Sequence, residues 1–550
     1  MRLRRVPLLL DLSTALVGLS IVAFVFVASL HIRLPGLYYD ELFQDTTALA
    51  FVKGGLGSQV AWVPGTEVSI AGHPLPLMAH AYIGAVKTIA FTPVAAVFGI
   101  TPGSVRIFTI AVAALALAAT AAFARRLFPR ALVAGIATLL LATDPSYVFY
   151  SRIDFGPSVF MFLLKAVGLW QLAVWWRTGR TWALALGAFA FGLGVYDKLT
   201  FFWVVFGVIG ATLLIAPRGL FARLDRRRVG IGAGAFALGG LPVIAYNLSW
   251  PPRSLGPALH GTLHISNGNE GGRFGFFTHL YGRFHTLVGL LDGRTIGDLI
   301  AGAEWRSLLV PIVALGAAAG ILLLSTVPAL RTRLAPARFV VFTGVLILVA
   351  SALTPGGSYP HHVLLAYPFP HLAIAAFTVE AWAIAHERVG RPLSWAVGGS
   401  VAAVLVAAVV VSSATSGQIL SRLTVSGGRG NFSDAIYRLD RYFEHSDSRE
   451  SFVALDWGIF QPLVGLSQGR LRGRELWLQL NGSMQRARAY RREITEPSAL
   501  YVLHASGQTN FPRARRQFFE IVRGSGRYAR LVHVVRSRQG RPEFEIYRVS

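Results

Sequence analysis

Long apolar stretches separated by short polar segments run from about residue 7 to about residue 413. A helix needs about 20 apolar residues to cross the hydrocarbon core of a bilayer. We predict about eleven membrane-spanning helices, at 7–32, 104–124, 131–146, 155–176, 181–196, 199–216, 229–248, 307–330, 339–353, 362–385 and 393–413. The apolar stretch 78–100 contains His80, Lys87 and Pro93, and we predict that it is interfacial or re-entrant instead.

Short arginine clusters punctuate these stretches and indicate the topology. Cytoplasmic loops retain Lys and Arg. With a cytoplasmic N-terminus, six clusters fall on the cytoplasmic side, around residues 2–5, 125–130, 177–180, 218–228, 331–338 and 388–391. The sequence therefore predicts a multi-pass protein of the plasma (inner) membrane with two large external loops, 33–103 and 249–306.

The chain changes character after the last predicted span. Charged residues become frequent from Arg422 onward, and strand-like runs at 451–455 and 499–503 alternate with helix-like runs at 432–445 and 512–524. We predict an extracytoplasmic soluble α/β domain over 414–550, following a transmembrane domain over 1–413. The arginine excess of this tail fits a solvated face, a contact with lipid headgroups, or a site for an anionic ligand.

Composition excludes several classes of protein. Of the 550 residues, 53% are hydrophobic and 14% are charged, against roughly 25% charged in a soluble domain, which excludes a soluble enzyme, a disordered chain and a fibrous repeat. There is no cysteine, so disulfide frameworks, cysteine nucleophiles and thiolate metal sites are excluded. The net charge of +25 resides largely in the loop clusters and the tail, so we predict no nucleic-acid partner.

Two adjacent acidic residues, Asp40 and Glu41, open the first external loop. Such a pair can supply a general base, a ligand for a divalent metal, or both, because adjacent like charges raise one pKa and carboxylate oxygens suit hard cations. The simpler alternative is the start of a helix, where acidic residues favour the helix dipole.

Three more polar segments are predicted to reach the same side of the membrane. Ionisable residues near a bilayer are costly, so a cluster of them is a functional-site hypothesis. The segments carry Asp144, Arg152 and Asp154; Asp197 and Lys198; and Tyr359, His361 and His362. Loop salt bridges, snorkelling and solvation are the alternatives. The residues alone predict an outward-facing pocket for the anionic headgroup of a lipid, as in a lipid-linked transferase, a transporter or a flippase.

Five segments, taken in order, carry a resemblance to a known class. They are Asp40-Glu41, the run 76–87, the run 151–157, the run 192–198 and the run 359–370. Their order and predicted membrane side resemble the GT-C class of integral-membrane glycosyltransferases, in particular the glycosyltransferase family 39-like group of the protein O-mannosyltransferases and the lipid A aminoarabinose transferase. The resemblance covers about the first 410 residues, and the tail matches no family we can name.

The resemblance implies inverting transfer of a sugar, a hexose or a pentose, from a polyprenyl-phosphate donor to a hydroxyl of a lipid, glycan or protein acceptor on the outer face. By the same analogy Asp40 is the general base. The implied donor-phosphate ligands are Lys198, Arg152, His361 and His362. Supporting, acceptor-binding or metal-binding roles fall to Glu41, Asp154, Asp144 and Tyr359, with Glu41 and Asp154 as the metal candidates.

Two other functions stay open at this stage. A transporter or flippase would show inverted repeats and broken spans in matching halves, and the sequence shows no such internal symmetry. A non-catalytic membrane scaffold, with a tail that binds a cell-wall polymer, predicts that Asp40 is dispensable.

Overall fold

A computed structural model describes residues 6–56, 62–248, 275–302, 306–354, 359–388, 391–445 and 451–550. Half of the predicted second external loop, 249–306, therefore lies outside the described residues.

The described part of the transmembrane region is helical. Its helices are α1 Val6–Ser29, α2 Tyr39–Val52, α3 Val86–Phe98, α4 Pro102–Leu127, α5 Leu132–Thr143, α6 Pro145–Ile153, α7 Ser158–Thr178, α8 Thr181–Asp197, α9 Phe202–Ile215, α10 Pro217–Phe221, α11 Arg226–Gly239, α12 Leu241–Asn247, α13 Gly275–Leu291, α14 Arg294–Ala301, α15 Leu309–Leu324, α16 Pro328–Arg331, α17 Ala335–Ala352, α18 Pro360–Val363, α19 Phe369–Arg388 and α20 Arg391–Ser426. Two short hairpins in the first loop pair β1 Glu67–Ile70 with β2 His73–Pro76 and β3 Met78–His80 with β4 Ile83–Gly84.

Each of the eleven predicted spans coincides with a helix or with a bent pair of helices. Within the described residues, six helices are long and apolar enough to cross a membrane, and the pairs α5–α6 and α11–α12, bent by 63° and 77°, raise that number to eight. Shorter apolar helices occupy the other predicted spans, and α3 occupies the stretch predicted to be interfacial or re-entrant. The structure therefore supports a multi-pass membrane protein, while eleven crossings stay a prediction.

The last helix of this region is longer than predicted. Hydropathy placed its end near Ser413, but α20 continues to Ser426. The chain leaves the helix at Gly427 and Gly428, whose φ angles are +77° and +100°, a conformation that glycine adopts at little cost. The helix extends beyond the last predicted span because hydropathy falls where the helix leaves its apolar surroundings, whereas the helix itself ends at these glycines.

Close helix packing holds the bundle together. Helix α7 packs against both α4 and α8, and α8 packs against α11. At Gly192 of α8 a β-carbon would come within 2.0 Å of the carbonyl oxygen of Phe236 in α11. Only glycine permits this approach of the two backbones.

The tail contains a five-stranded mixed sheet in the order β6-β5-β7-β9-β8. The strands are β5 Ser451–Ala454, β6 Gly473–Glu475, β7 Ala499–His504, β8 Ala529–Arg536 and β9 Pro542–Val549, and the helices are α21 Ala435–Glu444, α22 Phe460–Leu466, α23 Trp477–Leu480, α24 Met484–Arg488, α25 Arg491–Ile494 and α26 Pro512–Gly524. One apolar cluster joins the sheet to α21 and α22, and another joins it to α26. The predicted strands and helices of the tail correspond to β5, β7, α21 and α26, whereas the division at residue 414 stays a prediction.

The tail packs directly on the first loop. The backbone N–H of Gly36 donates to the carbonyl of Phe432 at 2.8 Å, and Thr46 of α2 donates to Gln461 of α22 at 2.5 Å. Gln468 makes two hydrogen bonds with the backbone of Ile100, at 3.0 and 2.7 Å. These contacts hold the start of α2 between the helical bundle and the sheet.

Candidate active site

The start of α2 is held by an aromatic cluster. Tyr38 precedes the helix, and its ring lies 4.3 Å from the ring of Phe432, 4.9 Å from that of Phe155 and 5.1 Å from that of Trp457. Its backbone N–H donates to a carboxylate oxygen of Glu41 at 3.3 Å, which is half of a capping box. These contacts fix Tyr38 and Glu41 and thereby orient the two residues between them, Tyr39 and Asp40.

Asp40 is half-buried, and the charge of Lys198 acts on its carboxyl. The group of side chains around these two residues is called the pocket below. Burial raises the pKa of its carboxyl to about 6, although the charge of Lys198 and a hydrogen bond from Tyr38 act in the opposite direction. A carboxylate with a pKa near 6 is well suited to accept a proton close to neutral pH.

Lys198 is held opposite Asp40 by the backbone. Its main chain pairs with Ile83 of β4, and its ammonium donates to the carbonyl of Gly156 at 2.9 Å. Burial lowers the pKa of Lys198 to about 8, with Asp40 and Asp197 opposing that shift. Because one of three ammonium donors meets this carbonyl, others remain for a ligand.

The same backbone pairing depends on a glycine. At Gly84, next to Ile83, a β-carbon would lie 2.3 Å from the carbonyl oxygen of Tyr196. The hairpin β3–β4 can therefore approach the end of α8 only with glycine at this position. A segment of the first loop and the end of α8 thus form one wall of the pocket.

Aromatic and imidazole rings complete the pocket. His361 stacks on Phe155 at 5.8 Å and lies 4.2 Å from His362. Tyr359 stacks on His361 at 5.9 Å and is 63% exposed. The charge of Lys198 acts on both imidazoles. The structure therefore brings Asp40, Lys198, His361, His362 and Tyr359 close to one another.

Two residues of the pocket were not singled out from the sequence as site residues. Tyr82 interacts electrostatically with Asp40 and Tyr359, and burial raises the pKa of its hydroxyl. His80 lies close enough to Lys198 for that charge to lower the pKa of its imidazole, in addition to the larger effect of burial. Both residues belong to the run 76–87 that carries the family resemblance, and that run was the available signal.

A buried ion network lies behind the pocket. The Lys87 ammonium is 2.9 Å from Asp154 and 3.2 Å from Asp45, and it donates to the carbonyl of Glu41 at 2.7 Å. Arg106 makes a two-pronged contact with the Glu41 carboxylate, at 2.7 and 3.1 Å. The network ties α2, α3, α4 and the segment after α6 together.

The two metal candidates do not fit a divalent cation. Glu41 faces Arg106 and Asp154 faces Lys87, so a cation already neutralises each carboxylate. Among the described residues there is no group of three or more His, Cys, Asp or Glu side chains that could hold a metal ion. Both carboxylates are instead members of the buried ion network.

Arg152 does not join the pocket. Its guanidinium is buried and donates to the carbonyls of Leu30, at 2.8 Å, and His31. Carbonyls at the C-terminal end of a helix lack intrahelical donors, and α1 ends just before these residues. Arg152 therefore satisfies the end of α1, which sequence spacing could not show, and it forms no ion pair with Asp144 or Asp154 among the described residues.

Asp144 also lies apart from the pocket. It begins α6, where one of its oxygens accepts the backbone N–H of Tyr147 at 2.9 Å. The other oxygen contacts Tyr367 and His371, both at 3.1 Å. Asp144 thus fixes the bend between α5 and α6 and joins it to α19.

The tail contributes one carboxyl group near the pocket. Tyr39 donates through its hydroxyl to Glu475 of β6 at 3.2 Å. Burial raises the pKa of Glu475 to about 8. No sequence pattern indicated this residue, because it reaches the pocket only through the packing of the tail on the first loop.

Residues 89–250 match a family model described as dolichyl-phosphate-mannose-protein mannosyltransferase. The structure is similar to ArnT from Cupriavidus metallidurans bound to undecaprenyl phosphate, with a TM-score of 0.56, 13% identity and coverage of 97% of this chain and 98% of that one. It is also similar to the Archaeoglobus fulgidus oligosaccharyltransferase in the apo form, with a TM-score of 0.54, 12% identity and coverage of 89% and 69%. No curated protein sequence matches the chain.

The oligosaccharyltransferase AglB of Archaeoglobus fulgidus, in complex with an inhibitory peptide and a dolichol-phosphate, is similar as well, with a TM-score of 0.52, 12% identity and coverage of 90% and 69%. The chain therefore shares the fold of these membrane glycosyltransferases, and both this fold and the match of residues 89–250 support the expected resemblance to the GT-C class.

Proposed function

We propose that the protein transfers a sugar from a polyprenyl-phosphate donor to an acceptor hydroxyl on the outer face of the membrane, with inversion at the anomeric carbon. The observation that supports this proposal is the proximity of Asp40 and Lys198, each of which acts electrostatically on the other although they lie 158 positions apart in the sequence. Solved structures of the same fold contain undecaprenyl phosphate and dolichol-phosphate, which supports a lipid carrier of this kind.

Asp40 acts as the general base. Its carboxylate accepts the proton of the acceptor hydroxyl while the hydroxyl oxygen forms a bond to the anomeric carbon. The bond from that carbon to the phosphate oxygen breaks on the opposite face, and its electron pair leaves with the lipid phosphate. The Glu41–Arg106 ion pair holds the start of α2, so the base keeps its position during the reaction.

Lys198 neutralises the departing phosphate. The phosphate gains negative charge as the bond breaks, and a cation fixed beforehand stabilises that charge without reorganisation. The contact with the Gly156 carbonyl and the backbone pairing with Ile83 supply this fixed position. His361 and His362 offer further ring nitrogens to the phosphate beside it.

The proposed acceptor side is the open side of the pocket, next to the tail. Tyr82, exposed Tyr359 and the nearby Tyr39–Glu475 pair offer hydroxyl and carboxyl groups for recognising a sugar or an acceptor. The protein is proposed to lie in the plasma (inner) membrane with its N-terminus in the cytoplasm and its tail outside. That orientation follows from the arginine clusters.

The test is transfer of label from a panel of polyprenyl-phosphate hexoses and pentoses by the purified protein in detergent, with an envelope fraction as acceptor. We expect Asp40→Asn to abolish transfer and Lys198→Met to slow it strongly. Asp298→Asn and Lys53→Met are the matched controls, since Asp298 is exposed on α14 and Lys53 donates to a carbonyl of the tail. Unchanged turnover in Asp40→Asn would exclude Asp40 as the base. Absence of transfer from every donor, with folded protein, would favour a transporter or flippase.

A further inference from the structure

A second cavity lies at the opposite end of the helical bundle from Asp40. It has a volume of about 590 Å³ and lies between the ends of α4, α7 and α9 and the beginnings of α8 and α17, with α10 beside it. Leu184, near the start of α8, lines this cavity, whereas Lys198 follows the end of the same helix. The rise of an α-helix separates the two sites by roughly 20 Å.

The cavity is apolar in its interior. Its wall includes Phe123, Leu169, Val208, Ile209 and Phe339. Its volume lies within the range of about 300–1,000 Å³ that is usual for small-molecule sites. An apolar cavity at the ends of apolar helices is suited to hydrocarbon chains.

The rim of the cavity is positively charged. Arg126, Arg177 and Arg223 line it, and of the described residues that line it none is acidic. Arg126 and Arg177 are exposed, and Arg126 forms no hydrogen bond or ion pair with any described residue. Arg177 uses one donor, at 3.2 Å from the carbonyl of Leu127, so several guanidinium donors of both side chains remain for an anion.

Arg223 is fixed in place at this rim. Its guanidinium lies 4.6 Å from the ring centroid of Trp176 and donates to the carbonyls of Trp176 and Gly219, both at 3.1 Å. The neighbouring Trp175 also lines the cavity, and its indole N–H is buried with no acceptor among the described residues. A buried donor of this kind costs free energy unless a ligand accepts its hydrogen bond.

From these features we infer that the cavity binds an anionic glycerophospholipid of the adjacent leaflet. Its acyl chain occupies the apolar interior, and its phosphate lies at Arg126 and Arg177. Basic pockets between membrane helices suit cardiolipin and related headgroups. Charge complementarity favours an anionic over a zwitterionic lipid, because no acidic side chain among the described lining residues pairs with the choline or ethanolamine cation.

The test measures lipid binding to the purified full-length protein by native mass spectrometry. The probes are cardiolipin, phosphatidylglycerol, phosphatidylcholine and undecaprenyl phosphate. We expect the two anionic phospholipids to bind more tightly than phosphatidylcholine. Because each arginine near a membrane surface adds to the binding of anionic lipid, Arg126→Gln/Arg177→Gln should weaken the binding of cardiolipin about 10- to 100-fold.

The matched control is Arg226→Gln/Arg227→Gln. It removes the same charge from two exposed arginines at the beginning of α11, and neither residue lines the cavity. Ala173→Trp is the second variant, since it fills the apolar interior without a change of charge. If Arg226→Gln/Arg227→Gln weakens the binding of cardiolipin as much as Arg126→Gln/Arg177→Gln does, the assignment is overturned. That result would show that the net charge of the protein alone attracts the lipid.

Two further results would overturn the inference. If undecaprenyl phosphate binds more tightly than cardiolipin at the Arg126–Arg177 rim, the occupant of the cavity is the carrier lipid. Unchanged binding of cardiolipin in both the Ala173→Trp and the Arg126→Gln/Arg177→Gln proteins would place the lipid elsewhere. Circular dichroism and gel filtration establish that each variant is folded.

Discussion

The pH dependence of sugar transfer offers the sharpest test of the Asp40–Lys198 pair. Asp40 must be deprotonated to accept a proton, and burial places the pKa of its carboxyl at about 6. Lys198 must be protonated to stabilise the phosphate, and burial places its pKa at about 8. The active fraction should fall about tenfold for each pH unit beyond either value. We therefore expect a bell-shaped profile of kcat/KM with its maximum near neutral pH.

Replacing the lysine should move both limbs in defined directions. A nearby cation favours the ionised carboxylate, so Lys198 holds the pKa of Asp40 lower than burial alone would. Lys198→Met removes that charge, and the acidic limb should move above about 6 while the alkaline limb disappears. Lys198→Arg keeps the charge, because the pKa of arginine is above about 12. Its acidic limb should stay near the wild-type position.

The assay is the initial rate of label transfer at donor concentrations well below KM, measured across both limbs. If Lys198→Met is too slow to follow, infrared difference spectra of the carboxyl band, against Asp40→Asn, report the same pKa. Lys53→Met should have the wild-type profile. An acidic limb that stays in place in Lys198→Met would refute the electrostatic coupling. A wild-type profile without an acidic limb would refute the assignment of Asp40 as the base.

Two predictions concern contacts that hold the pocket in place, the Glu41–Arg106 ion pair and the close backbone approach at Gly84. Arg106→Met leaves the Glu41 carboxylate buried without its partner, so the free energy of unfolding should fall by about 3–5 kcal/mol; a thermal midpoint equal to that of wild type would contradict this role. Gly84→Ala places a methyl carbon 2.3 Å from the carbonyl oxygen of Tyr196, so the hairpin must shift and transfer should be lost while helical circular dichroism is retained. Gly103→Ala, whose added carbon would lie 3.7 Å from its nearest neighbour, should keep its activity, and equal activity in Gly84→Ala would show that the approach of the hairpin is dispensable.

The helices and much of the pocket could be predicted because their signals are local. An apolar stretch long enough to cross a bilayer predicts its own helix, and each predicted span coincides with a helix or a bent pair. Asp40, Lys198, His361 and His362 were found because they are ionisable residues at the ends of such stretches. Ionisable residues next to membrane spans are rare, so only a few candidate site residues had to be compared.

The partners of the other charged residues could not be predicted. Sequence spacing suggested that Arg152 binds phosphate, yet it satisfies carbonyls at the end of α1. It also suggested Glu41 as a metal ligand, yet Arg106 neutralises that carboxylate. A buried charge pairs with whichever opposite charge or free backbone group packing brings within a few ångströms, and that neighbour is distant in sequence.

The sequence by itself determined which segments are helical, which residues are ionisable near the membrane, and that the chain resembles a lipid-linked glycosyltransferase, because hydropathy and motif order are properties of short stretches. Only the tertiary structure decided that His80 lies near Lys198, that Tyr82 lies near Asp40 and that Glu475 of the tail reaches Tyr39. Only the structure separated the two carboxylates at positions 40 and 41. Asp40 is half-buried near Lys198, whereas Glu41 pairs with the buried Arg106, because successive side chains on a helix point in different directions.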